Sequence, residues 1–301
     1  MADRRAFDIS APATPVQAIN VAGVRAFIVL NLIGGIGMLL VLLTAILSRR
    51  VKRLSTWYSF CFSWILSSIS YSLLSFAGQQ TTSTPSYWLC YIQAALIYSM
   101  PPTTTCTTLA LLVHILLSFP DTAADIPLKI NLRTSCLLLM GPYSIFLVMF
   151  IGVTLYETRN PAMLWKAPQG TYCDSMNADW SRISSIVVAA VSMVIIIVQG
   201  QLAARLYSNL HSLRRDSQSF ATIFRGMLFT VIGFITLVIA MVFTITNDHT
   251  LAFDMIISLF PLLALFVFGS QKDLYQAWFS WESPYKAEGR GSVFFGRKLV
   301  Q

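Results

Sequence analysis

Charge is what this sequence has least of. Only 11% of its 301 residues are Asp, Glu, Lys or Arg, against about 25% in an ordinary soluble domain. That deficit argues against a water-soluble enzyme or binding domain. Cysteine is also scarce, with five residues. The three histidines, His114, His211 and His249, are scattered, and no HExxH, CxxC pair or glycine-rich phosphate loop occurs. Neither a metal-ligand spacing nor a nucleotide cradle is therefore present. No pair of carboxylates interrupts the apolar runs, as an intramembrane protease would need. The expectation is a protein that is not an enzyme and carries no cofactor. The first 22 residues, with Pro12 and Pro15, lack the apolar core of a secretory signal peptide. The first apolar run is then expected to act as its own insertion signal.

What is abundant is uncharged apolar sequence: 55% of the residues are hydrophobic, gathered into long runs. A helix needs about 20 apolar residues to cross the hydrocarbon core. Seven segments reach that length: 27–47, 57–77, 88–119, 136–156, 183–206, 227–246 and 251–269. Inside them only Arg205, at one end, and Asp254, near another, carry charge. A β-barrel would show alternating strands of about ten residues. The run 187–198, with Ser192 as its one polar side chain, does not alternate. The expected fold is an all-α membrane protein, a bundle of seven transmembrane helices in contact with the lipid bilayer. The third run is long enough for a steeply tilted helix and too short for two spans.

Basic residues set the expected orientation. With the N-terminus outside, 15 of the 21 Lys and Arg residues fall on the cytoplasmic side, as the positive-inside rule requires. They include Arg49, Arg50 and Arg53 after the first run, Arg214, Arg215 and Arg225 after the fifth, and five in the C-terminal tail. The net charge of +8 thus reads as a basic rim beside anionic lipid, with no nucleic-acid partner. Residues 1–22 form a short extracellular tail, 23–269 the bundle, 270–283 a further helix and 284–301 a disordered cytoplasmic tail. In that further helix Leu274, Tyr275, Trp278, Phe279 and Trp281 share one broad face, which suits a helix lying in the membrane interface. An unstructured aromatic tail is the alternative. The longest outer loop runs over 157–182, and residues 247–250 join runs six and seven.

This topology sorts the cysteines. Cys90 lies at the outer end of the third run and Cys173 in the second outer loop, on the oxidising side, while Cys61, Cys106 and Cys136 lie within or beside spans. A Cys90–Cys173 disulfide is expected, with two free thiols as the alternative. Prolines interrupt three runs: Pro101 and Pro102, Pro142, and Pro261. Each removes a helical hydrogen bond, so each is a candidate hinge or a packing feature. Gly34, Gly35 and Gly37 permit close helix contact. The serines of run two, Ser63, Ser67, Ser68, Ser70, Ser72 and Ser75, and the threonines of run three read mostly as interhelical hydrogen bonding. Gln93, Tyr98 and Asp254 sit in the outer halves of their runs and are the candidate ligand-binding residues. Asp254 stands out because an ionisable group at membrane depth is functional by default; simple exposure at the boundary is the alternative.

Seven runs, an outside N-terminus, a bond from the third run to the second outer loop and a short helix after the last run resemble the G-protein-coupled receptor architecture. In detail, Met100-Pro101-Pro102-Thr103-Thr104-Thr105-Cys106-Thr107-Thr108-Leu109-Ala110-Leu111 and Phe268-Gly269-Ser270-Gln271-Lys272-Asp273 resemble the divergent orphan receptor-like proteins of fungi. The resemblance covers roughly residues 24–282. It implies an unknown extracellular ligand and a heterotrimeric G protein at the basic rim. The rhodopsin-like motifs are absent: the inner end of run three reads Ser118-Phe119-Pro120-Asp121, and run six has no proline. Run seven also has no lysine, which removes a Schiff-base pigment. A seven-span transporter or lipid-translocating protein is the competing expectation, although no internal repeat of the kind many transporters carry is visible.

Overall fold

A peptide group in hydrocarbon has no water to bond, so an apolar run must satisfy its own N–H and C=O groups by coiling. The computed structural model describes residues 21–48, 53–118 except 83, 131–208 except 168, 251–271 and the single positions 228, 231, 234, 238 and 274. Six of the seven runs appear there as continuous helices: α1 (Val21–Leu47), α2 (Ser55–Phe76), α3 (Tyr87–Ser118), α4 (Leu132–Arg159), α5 (Ala178–Ser208) and α6 (Leu251–Gly269). The first five are long and apolar enough to cross a membrane, and α6 is a shorter apolar helix. Of run six, positions 228, 231, 234 and 238 are described, and all four are helical. The tails at 1–20 and 284–301, the 247–250 connection and most of the expected interfacial helix lie outside the described residues.

Run three is one helix of 32 residues, about 48 Å at 1.5 Å per residue, longer than the roughly 30 Å hydrocarbon core. It is also the hub, packing against α2, α4 and α5, while α1 packs against α2 and α6. The α1 glycines set how closely those helices approach. A Cβ on Gly34 would lie 2.6 Å from Pro261 Cβ and 2.7 Å from its carbonyl carbon, and one on Gly35 would lie 2.6 Å from Ser68 Cβ. Gly37 likewise faces Leu265. One apolar cluster joins Met38 and Val41 of α1, Trp57, Phe60 and Trp64 of α2, and Ala264 and Phe268 of α6. A second, at the opposite end, holds Val24, Phe27, Tyr71 and Ile97.

Around the first cluster, polar side chains of α2 turn toward neighbouring helices. Ser63 pairs with Thr107 at 2.8 Å, Thr56 with His114 at 3.0 Å and Ser59 with Tyr143 at 3.0 Å. Polar side chains thus meet across helices, as expected where no water competes. The outer faces do the reverse. Leu137 and Val148 of α4 are 73% and 71% exposed, and such apolar side chains recur along α1, α4 and α5. In water a contiguous apolar surface of that extent is unstable against association; against lipid tails it is the ordinary condition.

Helix α2 ends because of one residue. Gly78 adopts φ 66°, the left-handed conformation glycine enters without cost. Its N–H bonds the Ser75 carbonyl and that of Gln79 bonds Leu74, a Schellman closure that satisfies the last carbonyls of the helix.

Candidate functional site

The residues singled out in the sequence converge at one end of the bundle, where the α4–α5 connection folds back over it. That connection is shorter than the apolar runs suggested: α4 continues through Arg159 and α5 begins at Ala178. A single 3-10 turn (Pro161–Met163) leads into strand β1 (Leu164–Lys166), which pairs antiparallel with β2 (Cys173–Ser175). Gly170, at φ 78°, makes the turn between them. Cys173 is disulfide-bonded to Cys90 in the first turn of α3, with Cα atoms 5.0 Å apart. Cys61 and Cys106 are buried free thiols and Cys136 is an exposed one.

Three further anchors hold the hairpin, and they come from the three candidate ligand residues. Gln93 is fully buried; its Oε1 accepts from Cys173 N–H at 2.9 Å while its Nε2 donates to the Ser70 carbonyl at 3.0 Å. One amide therefore ties the hairpin to both α2 and α3. Tyr98 donates its hydroxyl to the Asp174 carboxylate, which also accepts from Ser175 N–H at 2.8 Å. Asp254, buried in the first turn of α6, accepts from the Thr171 hydroxyl at 2.7 Å and the Tyr172 hydroxyl at 3.0 Å. The hairpin is thus latched to α3 by a covalent and two polar contacts and to α6 by a carboxylate. Gln80 donates to the Gly170 and Thr171 carbonyls, and Lys166 to those of Gln80 and Thr82.

Burial decides the protonation of the loop groups. The Tyr172 phenol is held well above its ordinary value, chiefly by burial and then by the Asp254 and Asp174 carboxylates. It remains a neutral donor to Asp254. Burial lowers Lys166, whose ammonium is bonded to neutral carbonyls.

The α3 prolines lie midway along that helix, about one turn beyond Tyr98. Pro102 cannot donate to the Tyr98 carbonyl four residues back. Ser184 of α5 donates there instead, at 3.0 Å, so the broken bond in α3 becomes a bond between helices. Pro142 and Pro261 also lie inside helices, and Pro261 is the residue against which Gly34 packs. Of the basic rim, Arg53 is described: its guanidinium lies over the Trp57 ring, 5.9 Å from the centroid. Arg49, Arg50, Arg214, Arg215 and Arg225 lie outside the described residues.

Two kinds of residue escape a reading of the sequence. Thr171, Tyr172 and Asp174 sit in a loop with no periodicity to interpret. Glu157 follows the last apolar residue of its run and looks like the first residue of a solvated loop, yet it is completely buried. The available signal is its position one helical turn beyond Val153, which is also fully buried.

No protein-family model matches the chain, and a search of the curated proteins finds no match. Among the described residues the structure defines the class: a helical membrane protein with five long apolar helices, a shorter sixth, and a disulfide-bonded hairpin capping the bundle.

Proposed function

We propose that the chain is a seven-span receptor of the plasma membrane that binds an extracellular ligand at the hairpin end and couples to a heterotrimeric G protein at the other. The observation that carries this reading is the latch: one hairpin bonded covalently to α3 through Cys90 and through hydrogen bonds to Asp254 of α6. A disulfide forms on the oxidising side of a membrane, which supports an extracellular hairpin, an outside N-terminus and a cytoplasmic C-terminus. The Lys and Arg distribution supports the same orientation independently. The apolar run 227–246 supplies the seventh span.

In this reading a ligand that displaces the hairpin changes what α3 and α6 are bonded to. Movement of Tyr98 reaches α5 through Ser184, and movement of α6 is resisted where Pro261 meets Gly34. Pro101, Pro102, Pro142 and Pro261 are the places where the helices bend. The opposite end presents Arg49, Arg50, Arg53, Arg214, Arg215 and Arg225 to an acidic cytoplasmic partner, with steering that weakens as salt rises. The test is copurification of a G-protein α subunit with the full chain, with and without guanine nucleotide. Nucleotide-sensitive association is the expected result. Substrate flux through reconstituted vesicles without any such association would instead make the chain a transporter or lipid-translocating protein.

A further inference from the structure

The latch leaves one group unexplained. Glu157 lies in the last turn of α4, beside α3: Val153, one turn earlier, packs on Ala95 and Tyr98, and the Tyr91 hydroxyl bonds the Thr154 carbonyl. Its side chain is completely buried, and neither carboxylate oxygen meets a donor in hydrogen-bond geometry. Among the described residues, Asp174 and Ser175 of β2 and Tyr98 and Tyr87 of α3 are near enough to interact with it electrostatically. Ser175 is near enough to polarise the carboxyl, and Asp174 is a like charge.

Among the described residues, the nearby cations are otherwise engaged or turned away. Lys166 bonds the carbonyls of Gln80 and Thr82, and Arg182 pairs with Asp179 on the exposed surface. Arg159 is exposed and, two residues on, lies about 200° further round the helix. A buried carboxylate without donors is costly, and a second acid beside it raises that cost. The arrangement is complementary to a cation that approaches from the hairpin side. A divalent metal is a poor fit, because the described residues contain no group of three His, Cys, Asp or Glu able to hold one. A primary ammonium needs only two or three acceptors, which the Glu157 and Asp174 carboxylates supply.

We propose that Glu157, with Asp174, binds the ammonium group of a small amine between α4, α3 and the hairpin. Seating it moves β2 away from α4, and because Asp174 is bonded to Tyr98 the movement is passed to α3. The signalling consequence rests on the receptor reading above; the binding itself does not. The probe is benzylammonium, with benzyl alcohol as the neutral control of similar size, on the full chain in lipid nanodiscs at neutral pH. Saturable binding of benzylammonium is expected, at least about tenfold tighter than benzyl alcohol and weakened about tenfold or more by Glu157→Gln. Asp179→Asn, which removes an exposed acid nearby, should bind as wild type does. In the wild-type protein, benzylammonium should also protect Glu157 several-fold from dicyclohexylcarbodiimide labelling, a measurement that does not depend on the variant folding. Equal binding of amine and alcohol, undiminished binding by Glu157→Gln, absent binding to wild type, or unprotected labelling would each overturn the proposal. Amine binding without G-protein association would leave this site standing and remove the receptor reading; nucleotide-sensitive association without amine binding would do the reverse.

Discussion

Gln93 shows how much one side chain can hold. Its carbonyl and amide ends serve the hairpin and α2 at once, in a place water does not reach. Replacing it with leucine of similar volume leaves the Cys173 N–H and the Ser70 carbonyl each short of this partner. An unsatisfied buried group costs about 1–3 kcal/mol. Gln93→Leu should therefore lower the thermal unfolding midpoint measurably in detergent, with the disulfide still formed. A melt unchanged from wild type would mean that the hairpin does not depend on this bridge. Tyr172 gives a pH counterpart. Its folded-state value is raised, so its stabilising contribution is complete below the ordinary value of 10.0 and is lost as pH rises through the higher folded value. The contact with Asp254 should thus be indifferent to pH near neutrality and fail only in strong alkali. Comparing the alkaline unfolding curves of wild type and Tyr172→Phe would show it: their difference should shrink above pH 10. At this scale the sequence was informative in one direction. Gln93, Tyr98 and Asp254 could be picked out because polar side chains within apolar runs are rare and costly. Their partners Thr171, Tyr172 and Asp174 could not, because hairpin register depends on a turn at Gly170 that no apolar pattern marks. Glu157 was not legible, because a charge just past an apolar run ordinarily marks the edge of a span.

Among elements, close approach has a cost that can be measured. A methyl on Gly34 would press on the backbone of α6, at 2.7 Å from the Pro261 carbonyl carbon and 2.8 Å from Leu262 N, and backbone cannot swing aside as a side chain can. Gly34→Ala should cost about 1–3 kcal/mol by overpacking. Gly141→Ala is the natural control, since a methyl there meets nothing within 4 Å; it should be neutral or mildly stabilising through helix propensity. Equal effects from the two substitutions in a thermal melt would contradict the packing described between α1 and α6. A second element-level test concerns the join of α3 to α5. Ser184→Ala removes the donor to the Tyr98 carbonyl and should cost about 0.6–1.7 kcal/mol, the range for hydrogen bonds between membrane helices. Serine to cysteine, a weaker donor, should fall between. The glycines and prolines were legible as points of contact and interruption. Which helix each would touch was not, because a run of apolar residues records its length but not its neighbour.

For the molecule as a whole, burial and charge divide the work. Among the described residues, apolar side chains cover the outside, serines and threonines pair within, and Glu157, Asp174 and Asp254 gather at the hairpin end. The six apolar runs that the structure describes as continuous helices were legible from length alone, since a charge-free run of 20 residues has few other stable fates. Side-chain chemistry at the hairpin end was only partly legible, because it depends on contacts between residues far apart in the sequence, such as Gln80 and Thr171, 91 positions apart. The central proposal is that the chain spans a bilayer seven times, with the hairpin outside. The most direct measurement is tag accessibility in intact cells, with one epitope at Met1 and another after Gln301. Antibody and protease should reach the Met1 tag without permeabilisation and the Gln301 tag only after it. Both tags on the same side would contradict seven spans, and the reverse order would place the Cys90–Cys173 bond on the reducing side.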